Sequence, residues 1–184
     1  MRAMVGGLLV GVAVTLAAPA ARGVVITVGS ATGQPGEQVS VAVSLATEGS
    51  AVLATQNQLT FGRQAYVAAG EDGAPLCAVN PAIDKEATAF RFLPLGCDPA
   101  LDCSAVRVFV LSFGNLTPIA DGALLYTCAV TIAADAAPGE YPIGLTELGA
   151  SAAMGVLLPV SGSPGAVGVT IDLEPVAEVR IGAA

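Results

Sequence analysis

Apolar and polar residues take turns along most of this chain. Val39, Val41, Val43 and Leu45 recur at every second position, with Ser40, Ala42 and Ser44 between them. In an extended strand successive side chains point to opposite faces, so these four share one face. The spacing predicts a half-buried strand over Val39–Leu45. Val52–Phe61 repeats the pattern: Leu53, Thr55, Asn57, Leu59 and Phe61 fall on one face, and Val52, Ala54, Gln56, Gln58 and Thr60 on the other. The same period runs through Ala105–Phe113 and Ala123–Ile132. Shorter β-rich runs lie at Val24–Val28, Thr88–Leu93, Tyr141–Leu148 and Ala166–Ile171. Ala65–Ala69 reads as an extension of the second strand's sheet after a break at Gly62-Arg63.

Turn formers punctuate these runs. Gly29 to Gln38 contains Gln34-Pro35-Gly36-Glu37, and Glu48-Gly49-Ser50, Asn80-Pro81, Asp84-Lys85-Glu86 and Asp121-Gly122 mark further turns. Gly70 to Pro75 reads as a loop, and a Gly- and Ala-rich stretch leads to Pro159. Beyond the first residues no segment sustains a helical period. Strands separated by turn signals at roughly 8–12 residues predict an all-β sandwich or barrel. The 22 glycines and 12 prolines fit that class.

The N-terminus has a different character. Arg2 precedes an apolar run from Val5 to Ala18, and small residues follow at Ala17-Ala18-Pro19-Ala20-Ala21. This is the layout of an export leader with an Ala18-x-Ala20 cleavage pattern, and the run is short for a membrane span. A leader over residues 1–20 is expected, with export to the surface or the medium.

Composition narrows the function classes. Aromatics make up 4% and tryptophan is absent, so the core must be filled by small aliphatic groups. The net charge of −8 and the scarcity of Lys and Arg disfavour nucleic acid, whose phosphates need clustered cations. Histidine is absent, which removes the Ser–His–acid and Cys–His schemes and weakens any zinc reading. The carboxylates Glu71-Asp72, Asp98 and Asp102 lie in loops, where acids are ordinarily solvated. As a glycosidase pair or as calcium ligands they have no supporting motif. No enzyme activity and no cofactor are expected.

Four cysteines, Cys77, Cys97, Cys103 and Cys128, all lie beyond the leader. An even number in an exported domain predicts two disulfides. Two pairings stand side by side. Cys97–Cys103 would staple a small loop and leave Cys77 with Cys128. Alternatively, Cys77–Cys97 would bridge a hairpin, with Cys103–Cys128.

Taken in order, several segments resemble a cohesin domain. Gly33-Gln-Pro35-Gly36-Glu37-Gln-Val39-Ser-Val41 is similar to that family's Pro-Gly-acidic turn before an alternating strand. Leu59-Thr60-Phe61 is similar to the end of the next strand. Gly122 to Ile132, Ala136-Ala-Pro138-Gly139-Glu140-Tyr141 and Gly165–Val169 resemble later strands and turns. The resemblance implies a jelly-roll sandwich of about nine strands over 24–171, with a tail over 172–184. It also implies docking of a dockerin-type protein partner in an extracellular polysaccharide-degrading assembly. One sheet face would carry the interface, and the polar set Gln56, Gln58 and Thr60 is the candidate. A carbohydrate-binding module, or a structural module of a surface or secreted protein, is the alternative. With three tyrosines and five phenylalanines there are few rings on which a sugar could stack.

Overall fold

In a computed structural model the chain is described over residues 23–171 and consists of two packed β-sheets. Thirteen strand segments occur among the described residues. In chain order they are β1 (Val24–Val28), β2 (Ala31–Gly33), β3 (Gln38–Ala46), β4 (Ala54–Thr60), β5 (Ala65–Val67), β6 (Cys77–Val79), β7 (Ala89–Leu93), β8 (Ala105–Val110), β9 (Leu124–Ile132), β10 (Gly139–Ser151), β11 (Leu157–Leu158), β12 (Val160–Ser163) and β13 (Gly165–Val169). The first sheet runs β12-β1-β3-β9-β5, with β6 also paired to β9; the second runs β2-β13-β10-β4-β8-β7, with β11 paired to β10. The expected leader and tail lie outside the described residues.

The period-two pattern explains which residues meet between the sheets. Val24, Ile26, Val28, Val41, Val43 and Leu45 face inward from one sheet, and Leu59, Val106, Val108, Val110, Ile143, Val167 and Val169 from the other, all buried. β-branched side chains are stiff and fit a pleated surface, so a Val-rich core of this kind packs with little loss of rotamer freedom.

A hydrogen-bonded polar pair lies inside this core. Asn57 Nδ2 of β4 donates to the Tyr126 hydroxyl of β9 at 2.7 Å, tying the sheets together at their centre. Burial pushes the Tyr126 phenol well above its usual range, and the Asn57 bond works against that shift. Phe90 meets the same ring edge-on, with centroids 5.4 Å apart. Tyr126→Phe would leave the buried Asn57 amide without this partner, at a cost of about 1–3 kcal/mol. Urea denaturation should show that loss; a midpoint equal to wild type would show that the bond contributes nothing.

Four local expectations change. Gly29 to Gln38 is not all turn: Ala31–Gly33 pairs in parallel with β13 and forms the edge of the second sheet. Ala65–Ala69 does not extend the sheet of β4. After the break at Gly62-Arg63 the chain crosses over, and β5 pairs with β9 in the first sheet. The Gly- and Ala-rich stretch leading to Pro159 contains β11, and β12 follows directly after it, so the segments outnumber the nine strands expected. Leu124 and Leu125 also break the simple alternation of β9. A register shift where Val43 faces Tyr126 and Ser44 faces Leu124 leaves Leu125 buried beside Tyr126, while Leu124 is partly exposed.

The edge strand beside β9 is split. Val67 faces Val130, and the next pairing is Cys77 with Cys128, so the residues between loop out and return to the same partner. Cys77 and Cys128 lie directly opposite, and a disulfide joins them. Ala129 N–H donates to Leu76 O and Asn80 N–H to Leu125 O, which makes Cys77/Cys128 a non-hydrogen-bonded pair, the close type. The second disulfide is Cys97–Cys103. Of the two pairings the sequence left open, the short-loop one is realised.

Candidate functional site

β4 lies near the middle of the second sheet, between β10 and β8, and its inward face is taken by Thr55, Asn57 and Leu59. Gln56, Gln58 and Thr60 must then point outward. Gln56 is exposed, while Gln58 and Thr60 are half-buried. Register places Gln56 between Gly149 and Phe109, Gln58 between Thr146 and Arg107, and Thr60 between Gly144 and Ala105. The three polar residues predicted as a patch are thus one outward row on a central strand.

Their neighbours shape them. Gln58 Oε1 accepts from Arg107 Nη2 at 3.1 Å. Gln56 Nε2 donates to the Glu147 carbonyl at 3.4 Å. That carbonyl is available because β10 bulges between Thr146 and Gly149, with Glu147 in the left-handed region at φ 49°. The two glycines that flank the bulged stretch are close approaches. A Cβ on Gly149 would come within 2.7 Å of Gln56 Cγ, and one on Gly144 would run into Thr60 Oγ1. The β10 backbone therefore passes low beside β4, and the Gln56 side chain lies across it at Gly149.

Beyond Gln56 the face becomes apolar. A hollow of about 390 Å³ is lined by Ala54, Phe109, Leu111, Leu148, Leu157 and Leu158, among others. Phe109 is 37% exposed and Leu157 82%. Met154 and Val156, just before β11, are exposed as well. On β8, two residues from Phe109, stands Arg107, with Arg91 of β7 directly opposite it. The outer face thus carries two arginines at its β7–β8 edge, uncharged amides along β4, an apolar hollow past Gln56 and Phe109, and the exposed Glu147 on the β10 bulge.

Sequence reading found the amides and missed the rest. Arg91 and Arg107 sit at the polar positions of alternating strands, which was legible, but their juxtaposition depends on the β7–β8 register. The hollow depends on β11, a strand of two residues with no pattern of its own.

The loop carboxylates have local work. Asp98 Oδ1 accepts from Ala100 N–H at 2.9 Å, and Asp102 Oδ1 accepts from Asp98 N–H at 2.7 Å, closing the Cys97–Cys103 loop. Asp72 Oδ1 accepts from Ala74 N–H at 3.0 Å in the excursion before β6. Glu71 is exposed beside it. Asp102 lies close to both Cys97 and Cys103, but those sulfurs are joined to each other and cannot act as thiolate ligands. Two other acids are held below their ordinary pKa. Hydrogen bonds from the Thr47 N–H and hydroxyl lower that of Asp121, and the Ser112 hydroxyl is the main cause for Glu86. Both fasten loops.

No family model matches this chain, and no curated protein matches it. Solved structures do, and they are cohesins. Over 80% of this chain and 91% of theirs, it is similar to CaCohA2 from Clostridium acetobutylicum, with 16% identity and a TM-score of 0.61. The non-cellulosomal cohesin of the archaeon Archaeoglobus fulgidus gives 13% identity and a TM-score of 0.60 over 82% and 93% of the two chains. The cohesin of a type I cohesin–dockerin complex from Clostridium thermocellum, Coh-OlpA with Doc918, gives 15% and 0.63 over 81% and 100%. The fold of this chain is the cohesin fold. At these identities the likeness extends to the arrangement of the strands and no further.

Proposed function

We propose that this chain is an exported, non-catalytic module that docks a protein partner, of dockerin type, on the outer face of β10, β4 and β8. The carrying observation is that face: an uncharged amide row backed by glycines and bordered by an exposed apolar hollow, on a cohesin-fold sandwich. Interfaces of this composition bury an apolar centre and satisfy hydrogen bonds around it. The absence of histidine and the purely structural bonding of the loop acids support a module without a reaction of its own. Docking on this face requires no cofactor. The N-terminal Arg2-to-Ala21 pattern supports export, and the two disulfides suit an oxidising compartment. Assembly with polysaccharide-degrading enzymes is the setting that a dockerin partner would imply.

The distribution of aromatic rings favours a protein over a sugar. Tyr126, Phe61 and Phe92 are buried, and Tyr66, Tyr141 and Phe90 are half-buried. Among the described residues only Phe109 and Phe113 present exposed rings, and they lie on a strand and on a loop beyond it.

The test immobilises the full chain and offers it the producing organism's secreted proteins and, in parallel, cellulose, xylan and chitin. A captured protein is expected to bind Gln56→Ala/Gln58→Ala about tenfold or more weakly, since each lost hydrogen bond is worth ~1 kcal/mol. Ser40→Arg, on the outer face of β3 in the other sheet, should bind as wild type does. Retention on polysaccharide with no protein captured would overturn the reading, and so would equal sensitivity to Ser40→Arg.

A further inference from the structure

The charge at the β7–β8 edge of the proposed docking face runs against the charge of the protein, while the exposed carboxylates Glu140 and Glu147 lie on β10 across the β4 row. Residues 23–171 carry four cations, Arg63, Lys85, Arg91 and Arg107, in a chain of net charge −8. Lys85 is buried and its ammonium is bound to the carbonyls of Asn115 and Thr117. Arg63 lies in the turn between the two sheets. The remaining two, Arg91 and Arg107, are both exposed and directly opposite each other on β7 and β8. Cβ atoms at directly opposite positions lie about 4.5–5.5 Å apart, and like charges there are mutually destabilising. Among the described residues no carboxylate forms an ion pair with either. Random placement on an acidic surface would tend to surround an arginine with acids. Here two arginines are set together and left without one.

Resting on the reading of this face as a docking surface, we infer that the partner presents a carboxylate-bearing segment, gripped by Arg91 and Arg107. A guanidinium is a planar fork that takes a carboxylate through two parallel N–H···O bonds. That of Arg107 is already oriented, because Gln58 Oε1 accepts from its Nη2 at 3.1 Å. Phe109, which borders the apolar hollow, is two residues further along the same strand, about 7 Å away along the strand axis. The complementary segment therefore carries an acidic side chain roughly 7 Å from a large apolar one, a spacing available to neighbouring turns of a helix or to alternate residues of a strand. The arginines supply orientation and encounter rate, and the hollow supplies buried apolar area.

A random peptide display library selected on the immobilised full chain tests this directly. Peptides that compete for the face are recognised by their loss of binding to Gln56→Ala/Gln58→Ala. Those peptides should be enriched in Asp or Glu near Leu, Ile or Phe. The enriched peptide, synthesised and measured by fluorescence anisotropy, should bind Arg91→Glu/Arg107→Glu at least about tenfold more weakly. Its binding to wild type should weaken as salt rises. A Lys-for-Glu version of the peptide should prefer the charge-reversed protein. Arg91→Gln should melt no lower than wild type, because it relieves a like-charge pair, and this separates a recognition role from a structural one. Peptides that need Gln56 and Gln58 but are neutral, and are indifferent to both arginines, would overturn the carboxylate partner and leave the docking face standing. Selected peptides indifferent to glutamines and arginines alike would overturn the docking face too. A selection that enriches no acidic peptide overturns the inference.

Discussion

Replacing Cys77 and Cys128 together by alanine is expected to cost about 4 kcal/mol of stability. The bond joins positions 51 residues apart. Closing a loop of that length in the unfolded chain removes conformational entropy worth ~4 kcal/mol in the chain-entropy treatment. In the native state the two residues lie directly opposite each other in a close strand pair. The disulfide also holds the far end of the looped-out segment on β9, so its loss should free β6 before the rest of the sheet. The Cys97–Cys103 bond closes a loop with a separation of only 6, so Cys97→Ala/Cys103→Ala should cost about 2 kcal/mol. Urea denaturation of the two double variants under oxidising conditions gives both values. Equal losses, or a larger one for the short loop, would contradict the entropic origin.

The second large effect is expected at Lys85. It is 2% exposed although Asp84 and Glu86 on either side are exposed. Its Nζ donates to the carbonyls of Asn115 at 3.1 Å and Thr117 at 2.9 Å. The flanking acids hold the same loop. Asp84 Oδ2 accepts from Asn115 Nδ2 at 2.8 Å, and Glu86 Oε1 accepts from the N–H groups of Phe113 and Gly114 at 3.3 Å each. Burial lowers the Lys85 pKa, and Asp84 and Glu86 oppose that shift. Lys85→Ala removes the ammonium from two carbonyls and leaves a void where the stem lay, so about 3 kcal/mol should be lost. Lys85→Met keeps most of the stem and should lose less, about 1–2 kcal/mol. Denaturation midpoints of the two variants separate packing from hydrogen bonding. A Met variant as stable as wild type would show that the ammonium contributes nothing.

Lys85 also shows where a sequence stops being informative. Asp84-Lys85-Glu86 reads as a solvated turn because three adjacent charges ordinarily are, and nothing local tells that the Asn115–Thr117 carbonyls arrive above it. The strands, by contrast, were legible wherever one face is buried and the other wet. Val39–Leu45, Val52–Phe61, Ala105–Phe113 and Ala123–Ile132 all contain strands in place, with ends differing by a few residues, since the period of two is imposed by burial itself. Ala31–Gly33, Cys77–Val79 and Leu157–Leu158 were not legible: two or three residues are too few to show a period, and pairing partners far along the chain hold them. The outward direction of Gln56, Gln58 and Thr60 followed from alternation. The facts that give the face its character, Arg91 beside Arg107 and the hollow past Gln56, follow from register, which no strand carries alone.

The central claim is that the outer face of β10, β4 and β8 is where a protein docks. Hydrogen–deuterium exchange on the full chain, free and bound to the secreted protein it captures, tests that claim most directly. Slower exchange on binding is predicted for the β4 residues around Gln56 and Gln58, for β8 around Arg107 and Phe109, and for the bulged stretch of β10 from Thr146 to Gly149, with β1 and β3 unchanged. Protection confined to β1, β3 and β12 in the other sheet, with β4 and β8 unaffected, would contradict it.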